Sequence, residues 1–434
     1  IVNNPPTAKR SVYVFGANSH GQLGLGHAQA NVTHPTLNTG LTKDTVGVVD
    51  LAAGGNHCVA LTYDNRVLTW GDNSDGQLGR ETQAIEEETT PMEVDFTAVG
   101  LPAETVFVQV AATESATFVL TEFGDVYGWG TFRETYSNEA DEEVSILIGF
   151  RPSVTFQRTP MHIPELKYVR KLATGAQHAR AKTTTTTKPE NAVFAWGAYK
   201  RDQLGRRILG RQRAAATAGL TPRLVALPGG KTKCDIASIG AGAYHSFAVR
   251  VDGYVYAWGY NRYGQTGVVD DGVNLFERDS TVSVPTGLEG VALGCLDADM
   301  EYMLTGGADH SLAVTNDGRC LSWGYIEGNA LGIRKETMSE DDLLFEEGSK
   351  MPSILAKPMT VPGVDSRVEK ASAGLGHSIV VTNSGTAYAW GSNGDYEVRQ
   401  PRSNGADLPS AIQTSVLRGL RVVDAAAGRQ FSVL

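Results

Sequence analysis

Cysteine is scarce in this sequence of 434 residues. The four cysteines lack CxxC spacing, which argues against both a disulfide framework and a zinc site; they are Cys58, Cys234, Cys295 and Cys320. No uncharged apolar run approaches the roughly 18 residues of a membrane-spanning helix, and there is no signal-peptide pattern. We therefore expect a globular protein of a reducing compartment, without a metal site and without membrane contact.

Motifs of bond-making chemistry are also missing. The sequence has no GxSxG, no P-loop and no HExxH, and its glycine-rich GQLG segments lack the strand and helix that flank a dinucleotide site. The net charge of −10 argues against a surface built throughout for nucleic acid, although it allows a local basic patch. The sequence thus predicts neither a cofactor nor an enzyme in the usual sense.

Glycine and short β-rich runs are abundant, with 49 glycines in the chain. Residues 52–79 read AAGGNHCVALTYDNRVLTWGDNSDGQLG, which is a small-residue turn and an apolar run, then a second β-rich run ending in Trp-Gly and a glycine-rich loop. Asp64 and Asn65 form a turn signal between the two runs. This unit predicts a β-hairpin.

Most of the remaining sequence consists of copies of this unit. The Trp-Gly slot of the second half occurs seven times, at Phe15, Trp70, Trp129, Trp196, Trp258, Trp323 and Trp390. The turn residue of the first half also occurs seven times, at Gly54, Thr113, Gly175, Gly242, Gly307, Gly374 and Gly428. A period of 54 to 67 residues suits a four-stranded blade, and we expect the tryptophans to pack blade against blade. A histidine that recurs after the turn, first at His57, is interpreted as a structural hydrogen-bonding group.

The two chain ends carry complementary halves of the repeat. The sequence starts on a second half around Phe15 and ends on a first half, Ala426 to Leu434. A solenoid needs polar caps at its ends, whereas a closed ring joins its ends. We therefore predict an all-β fold, a seven-bladed β-propeller of four-stranded blades spanning 1–434, closed by pairing of the N- and C-terminal strands in one blade.

Three segments depart from the repeat, and one of them, the Thr183–Thr187 run, is given no function. Residues 131–160 replace the expected loop after Trp129-Gly130 with an acidic run followed by the apolar ILIGF, which predicts either a solvated loop or a protruding contact with a partner. Residues 205–213, GRRILGRQR, form a basic loop in an acidic protein. This loop is either solvated or binds phosphate or an acidic protein surface.

The repeat AAGxxHxxALxxxxxVxxWGxNxxGQLG resembles that of the regulator of chromosome condensation family, from Tyr13 to Leu434. Related repeats also occur in ubiquitin-ligase domains, a plant ultraviolet-B photoreceptor and a bacterial inhibitor protein. The segment WGTFRE at Trp129–Glu134, followed by ILIGF and QRTP, is most similar to the family branch that exchanges guanine nucleotides on the small GTPase Ran, especially its fungal forms. In that branch the insertion is a β-wedge pressed against the phosphate-binding region of the GTPase.

This resemblance implies roles for particular residues. It implies catalytic roles in exchange for Glu134, Asp309 and Arg206, GTPase binding by Arg133, Gln177, Ser19, Ile146, Leu147, Ile148 and Phe150, and nucleosome binding by Arg207, Arg211 and Arg213. Glu134 keeps the acidic character of a position where the family often has Asp, whereas Gln177 and Ser19 stand where the family has Asp, and Asp309 where it has His. The resemblance further implies a monomer in the nucleus on chromatin, with DNA contacts made mainly by a tail outside this sequence.

Two other functions remain open at this point. A protein-interaction propeller of the same repeat family would use the same scaffold without acting on Ran. A light sensor of the ultraviolet-B type would need a tryptophan cluster beyond the repeat slots, and all six tryptophans of this chain occupy those slots.

Overall fold

The computed structural model describes residues 2–28, 31–137, 143–184, 191–206, 208, 217–228, 236–268, 280–283, 288, 304–345, 352–398, 408–413, 417 and 419–434. The chain divides into two compact units. Unit 1 comprises residues 1–12, 18–30 and 37–235, and unit 2 comprises residues 13–17, 31–36 and 236–434.

Unit 1 contains three four-stranded antiparallel sheets and one separate hairpin. Its strands are β3 (Val48–Ala53), β4 (His57–Thr62), β5 (Val67–Gly71), β6 (Met92–Glu93), β7 (Phe107–Ala112), β8 (Ala116–Thr121), β9 (Val126–Gly130), β10 (Phe132–Ser137), β11 (Glu143–Gly149), β12 (Gln157–His162), β13 (Val169–Thr174), β14 (His178–Thr184), β15 (Asn191–Gly197) and β16 (Arg223–Leu224). Helix α1 (Ile85–Thr89) and a 3-10 turn at Thr97–Val99 lie between strands. The sheets have the orders β3-β4-β5-β6, β12-β9-β8-β7 and β13-β14-β15-β16, and β10 pairs with β11.

Local hairpins build these sheets. Asn65 adopts a left-handed φ of 65° between β4 and β5, a conformation that asparagine tolerates better than most residues. The hairpin predicted at Asp64 and Asn65 is confirmed by the antiparallel pairing of Val59 with Thr69. Every residue of β4 and of β8 is buried, as expected for strands covered on both faces.

Unit 2 follows the same plan. Its strands are β1 (Tyr13–Gly16), β2 (Val32–Leu37), β17 (Ile236–Ala241), β18 (His245–Arg250), β19 (Val255–Gly259), β20 (Ser280–Ser283), β21 (Leu304–Gly306), β22 (His310–Val314), β23 (Cys320–Tyr325), β24 (Leu343–Phe345), β25 (Pro352–Thr360), β26 (Val368–Ala373), β27 (His377–Thr382), β28 (Ala387–Gly391), β29 (Leu408–Gln413), β30 (Ala426–Ala427) and β31 (Phe431–Val433), with 3-10 turns at Glu327–Asn329, Lys335–Thr337 and Glu340–Asp342. Two four-stranded sheets have the orders β2-β1-β31-β30 and β26-β27-β28-β29. The remaining strands form a nine-stranded sheet that is joined across its middle by a single parallel bridge, Ala241 to Thr305.

The two ends of the chain share one sheet of unit 2. Strand β1 pairs antiparallel with β31, in a register that places Val14 opposite Val433 and Gly16 opposite Phe431. Phe431 is fully buried, and a Cβ added to Gly16 would lie 2.6 Å from the Phe431 Cα. The predicted pairing of the N- and C-terminal strands in one sheet is thus confirmed.

The tryptophan slots are structural, as predicted. All six indoles are at most 1% exposed. In four of them Nε1–H donates to a carbonyl of the glycine-rich loop in the preceding repeat; the pairs are Trp70 to Gln22 at 3.0 Å, Trp129 to Gln77 at 2.8 Å, Trp323 to Gln265 at 3.1 Å and Trp390 to Ala330 at 2.8 Å. At each of these four contacts, one buried hydrogen bond therefore fixes the position of the indole ring relative to the preceding repeat.

The recurring histidine belongs to the same contact. Its Nε2 meets a hydroxyl of the next repeat, in the pairs His57–Thr117 (2.9 Å), His245–Ser311 (2.6 Å), His310–Ser378 (2.8 Å) and His377–Ser432 (3.1 Å). Thr117 donates in turn to the Gln77 carbonyl at 2.8 Å, which also accepts from Trp129. The histidine is therefore a structural hydrogen-bonding group, as predicted.

These buried histidines make the stability of the protein sensitive to acid. Burial lowers the pKa of His57 and His310 to about 4 and that of His377 to about 3. Because the unfolded chain takes up protons below pH 6.5 that the folded chain cannot, each histidine costs about 1.4 kcal/mol of unfolding free energy per pH unit between 6.5 and its folded pKa. The raised pKa values of Glu134 and Glu397 act in the opposite direction. The net expected loss is about 1 to 4 kcal/mol per pH unit.

Urea unfolding at pH 7.5, 6.5, 5.5 and 5.0 measures this loss directly. The side chain of a His310→Gln variant has no proton to take up. Between pH 6.5 and pH 5, the unfolding free energy of this variant should therefore fall by about 1.4 kcal/mol per pH unit less than that of the unchanged protein. An unfolding free energy that stays flat from pH 7 to pH 5 would show that the histidines are not neutral in the fold.

Candidate functional site

The most prominent departure from the repeat in unit 1 is the hairpin of β10 and β11, called here the wedge hairpin (residues 132–149). It follows β9 directly, so the hairpin leaves the sheet at the same end as the glycine-rich loops. Its root is aromatic: Phe132 and Phe150 stack with ring centroids 6.2 Å apart and planes 8° apart, and both rings lie within 6.2 Å of Phe118 in the core. This stack fixes the hairpin to the buried part of unit 1.

Only part of the apolar run 146–150 is exposed in the structure. Phe150 is 1% exposed and belongs to the core, and Ile148 is partly buried against the same cluster. Ile146 and Leu147, by contrast, are 38% and 37% exposed. The expectation that the whole ILIGF run is accessible was wrong, because the residues nearest the root complete the aromatic stack; Ile146 and Leu147 remain available to a partner.

Arg133 is held at the base of the wedge hairpin by the blade before it. Its Nε and Nη2 donate to the two carboxylate oxygens of Asp75 at 2.8 and 2.6 Å, in a fork that only arginine can form. Hydrogen bonding to Asp75 raises the pKa of Arg133, and the carboxylate of Glu114 adds to this effect. The Arg133 side chain is one-third exposed, while the Asp75 side chain is 9% exposed.

Gln177, which directly precedes β14, joins Arg133 to the next sheet of unit 1. The Arg133 backbone N–H donates to Gln177 Oε1 at 2.7 Å, and Gln177 Nε2 donates to Glu114 Oε2 at 2.7 Å. An amide can accept one bond and donate the other, whereas a carboxylate in this place would face Glu114 with like charge. The departure from Asp at this position therefore has a physical reason in this chain.

Glu134 is buried under the hairpin, with 1% of its surface exposed. Its two oxygens accept the backbone N–H groups of Tyr199 at 3.0 Å and Lys200 at 3.2 Å. Burial raises the pKa of this carboxyl, and the two N–H donors partly oppose that shift. A partner could touch the carboxylate only if the loop that begins at Tyr199 moved away.

Replacing Glu134 with Ala should therefore affect stability as well as any activity. The change leaves the N–H groups of Tyr199 and Lys200 without their acceptor, and we expect it to lower the free energy of unfolding by about 1–3 kcal/mol in urea titrations. Glu93→Ala is the control, because Glu93 is exposed and has only a long 3.8 Å ion pair with Arg66. Equal stability of both variants would contradict a supporting role for Glu134.

Arg206 is turned inward. Its Nη2 lies 3.3–3.4 Å from the carbonyl oxygens of Ala195, Gly219 and Thr221, and burial lowers its pKa to about 10. Arg80 follows the corresponding glycine-rich turn two repeats earlier in the chain. It likewise donates to a backbone carbonyl, that of Thr69, at 3.0 Å. Arg206 and Arg80 thus occupy equivalent positions of the repeat, and in each the guanidinium group binds backbone carbonyl groups.

Of the remaining predicted residues, Ser19 and Asp309 are described, each with a neighbour in its own unit. Ser19 is exposed, and its Oγ lies 2.9 Å from Nδ1 of its neighbour His20. Asp309 belongs to unit 2, where it is half-buried and accepts a 3.4 Å bond from Gln265. The predicted chromatin-binding residues Arg207, Arg211 and Arg213 lie outside the described residues. Within the described ranges, no three His, Cys, Asp or Glu residues are grouped as a metal site, and no helix is long and apolar enough to cross a membrane.

Sequence reasoning missed Asp75 and Glu114, the two carboxylates that hold Arg133 and Gln177. A signal for Asp75 exists, because the position before the turn varies between copies of an otherwise regular loop; it is occupied by His20, Asp75, Arg201 and Tyr263. Glu114 stands in the blade whose turn residue is Thr113 instead of Gly, which is also a departure from the repeat. Variable positions inside a constant repeat mark the site better than the recurring residues do.

The chain is similar over nearly its whole length to several known proteins. Protein pim1 of Schizosaccharomyces pombe is 35% identical over 445 residues, covering 99% of this chain and 75% of that protein. The guanine nucleotide exchange factor SRM1 of Saccharomyces cerevisiae is 30% identical, over 97% of this chain and 86% of its own length. The crystal structure of Prp20p from S. cerevisiae, reported with its binding to Gsp1p and histones, aligns with a TM-score of 0.80 at 28% identity, covering 100% of this chain and 92% of that one. The fold is accordingly all-β and propeller-like. The RCC1-like domain model matches residues 11–434, and the chain belongs to that family.

Proposed function

We propose that this protein is a guanine-nucleotide exchange factor for a small GTPase of the Ran type. The observation that carries the proposal is the wedge hairpin, a rigidly rooted β-hairpin that exposes Ile146 and Leu147 beside the polar cluster of Arg133. The relative SRM1 is named a guanine nucleotide exchange factor, and Prp20p is described as binding Gsp1p. A protruding apolar edge on a rigid base suits the displacement of a phosphate-cradling loop in a partner.

The mechanism is differential binding, and it makes or breaks no covalent bond. The protein binds the nucleotide-free GTPase more tightly than the loaded GTPase, and by linkage it weakens nucleotide affinity by the same factor. Each tenfold weakening needs about 1.4 kcal/mol of differential contact. Ile146 and Leu147 supply apolar contact area, and Arg133 and Asp75 hold the hairpin root. Because Glu134 is buried, its contribution to exchange is the placement of the loop at Tyr199 and Lys200.

We propose further that the fold comprises seven blades closed into a ring. Seven groups of strands support this count, provided that the nine-stranded sheet is counted as two blades joined by the single bridge from Ala241 to Thr305. The pairing of β1 with β31 supplies the closing blade from both chain ends.

A second proposed activity is attachment to chromatin, placing the protein in the nucleus. Prp20p is described as binding histones, and the basic loop 205–213 of this chain offers arginines to an acidic protein surface. Arg207→Ala, Arg211→Ala and Arg213→Ala together should weaken nucleosome binding and flatten its salt dependence. If nucleosome binding is unchanged in this variant, the basic loop does not attach the protein to chromatin. The alternative of a protein-interaction propeller without exchange activity makes the opposite prediction in the assay that follows.

The test of the proposed function is the release of a fluorescent GDP analogue from purified Ran. Catalytic amounts of this protein should accelerate release in the presence of excess unlabelled GTP. The control is the same protein after thermal unfolding. If release is not accelerated while the protein is folded, the exchange proposal fails and the interaction-propeller alternative stands.

A further inference from the structure

Arg133 carries two hydrogen-bonding arrangements at once, one through its side chain and one through its backbone. The guanidinium is bound to Asp75, which precedes the glycine-rich turn of the loop after β5. The backbone N–H is bound to Gln177, which lies just before β14 and is itself bound to Glu114. Three successive blades of unit 1 are therefore linked through one residue at the root of the wedge hairpin. The four residues Asp75, Arg133, Gln177 and Glu114 are called here the root clamp.

The bonds of the root clamp are short and mostly shielded from water. The four distances lie between 2.6 and 2.8 Å. Asp75 and Gln177 are 9% and 1% exposed, so their bonds are not in direct competition with solvent. A two-bond fork between a guanidinium and a buried carboxylate fixes direction as well as distance. The clamp therefore restrains the direction in which β10 leaves the core.

The aromatic root alone does not set this direction. Phe132 is the first residue of β10 and Phe150 directly follows β11, and their stack on Phe118 fixes their depth in the unit. Arg133 is the next residue outward, and the pairing register is irregular between Phe132 and Arg133. Because the pairing is irregular between Phe132 and Arg133, β10 can change its direction there. The root clamp binds Arg133, the first residue after this irregularity.

We infer that Asp75 is a positioning residue for nucleotide exchange: through its fork with Arg133 it holds the wedge hairpin at the angle at which Ile146 and Leu147 meet the GTPase. This inference rests on the proposed exchange function and deepens it. Asp75 acts through Arg133 and needs no contact with the partner. The Arg133 side chain is correspondingly engaged within the protein, so its contribution is also the direction of the hairpin.

The experiment measures the maximal rate of GDP release and the concentration of Ran that gives half of it. Asp75→Asn keeps the shape of the side chain and removes its charge; we expect the maximal rate to fall about 10-fold, because a misdirected hairpin still meets the GTPase but displaces its loop poorly. The half-saturating Ran concentration should change less than about twofold. Asp72→Asn is the matched control on the same loop: Asp72 accepts its hydrogen bonds from Ser74, at 2.9 and 3.0 Å, and acts on Arg133 only through its charge, so this variant separates the loss of a nearby charge from the loss of the fork.

A double-mutant cycle with Arg133→Lys completes the test, because lysine keeps the charge but cannot form the fork. If Asp75 acts through Arg133, the double variant should be no slower than the slower single variant. Additive losses, or a rise in the half-saturating concentration with an unchanged maximal rate, would overturn the inference in favour of a direct contact. An Asp75→Asn protein as fast as the unchanged protein would overturn it as well. A failure of the unchanged protein to accelerate release is a different result, which rejects the exchange proposal itself.

Discussion

Replacing Ile146 and Leu147 together with Thr should reduce the acceleration of GDP release by about 100-fold or more while leaving the melting temperature unchanged. Each apolar side chain that becomes fully buried against a partner contributes about 1.5–3 kcal/mol, and about 1.4 kcal/mol corresponds to a factor of ten. Threonine preserves the β propensity of β11 and removes most of the apolar surface. The two side chains are more than one-third exposed, so the fold itself should lose little.

The matched control for this variant is Leu224→Thr. Leu224 lies on the outer strand β16 of the same unit and is 45% exposed, but it is remote in sequence and sheet from the wedge hairpin. Its exchange rate should equal that of the unchanged protein. If the Ile146 and Leu147 variant also exchanges at the unchanged rate, the apolar edge of the hairpin does not displace the GTPase loop, and the polar root must be tested in its place.

Phe431→Ala should be the most destabilising single change in the closing sheet, with a loss of about 3–5 kcal/mol in the free energy of unfolding. Phe431 is fully buried, lies opposite Gly16 in the β1–β31 pair, and packs its ring against Gly428. The cavity left by alanine cannot be filled from either neighbour, because both are glycines. Urea unfolding followed by tryptophan fluorescence measures the loss.

Leu420→Ala provides the comparison for this measurement. Leu420 precedes the same sheet and is 46% exposed, so its truncation should change stability by no more than about 0.5 kcal/mol. Deleting residues 431–434 removes β31 entirely and should prevent cooperative unfolding of the sheet that contains β1. A truncated protein with an unchanged unfolding curve would show that the pairing of the chain ends contributes nothing to stability.

The architecture was predictable because its signals are local and repeated. The turn at Asp64 and Asn65, the tryptophan slots and the complementary chain ends each follow from spacing in the sequence, and the structure confirms all three. Blade packing requires the same residue type at the same place in each copy. A pattern repeated around the fold therefore reveals the scaffold without any knowledge of distant contacts.

The site was less predictable, since its contacts join residues far apart in the chain. Glu134 accepts from the backbone of Tyr199, 65 positions away, and backbone donors leave no trace in residue type. Gln177 and Glu114 are 63 positions apart. The continuous apolar run ILIGF does not distinguish the root of the hairpin from its exposed edge, so Phe150, which the resemblance placed in the GTPase contact, lies in the core.

The sharing of one sheet by β1 and β31 has a consequence for how the protein is made. A ribosome synthesises Val433 419 residues after its partner Val14 (433 minus 14), so β1 must wait for all of this intervening chain before the two strands can pair. During translation its edge and the buried face of Phe15 are open to wrong partners, which makes the nascent chain a client for chaperones. A circular permutant that joins residue 434 to residue 1 and opens the chain between two sheets would build the sheet of β1 and β31 from one continuous segment, and it should refold faster than the same residues in the unpermuted order.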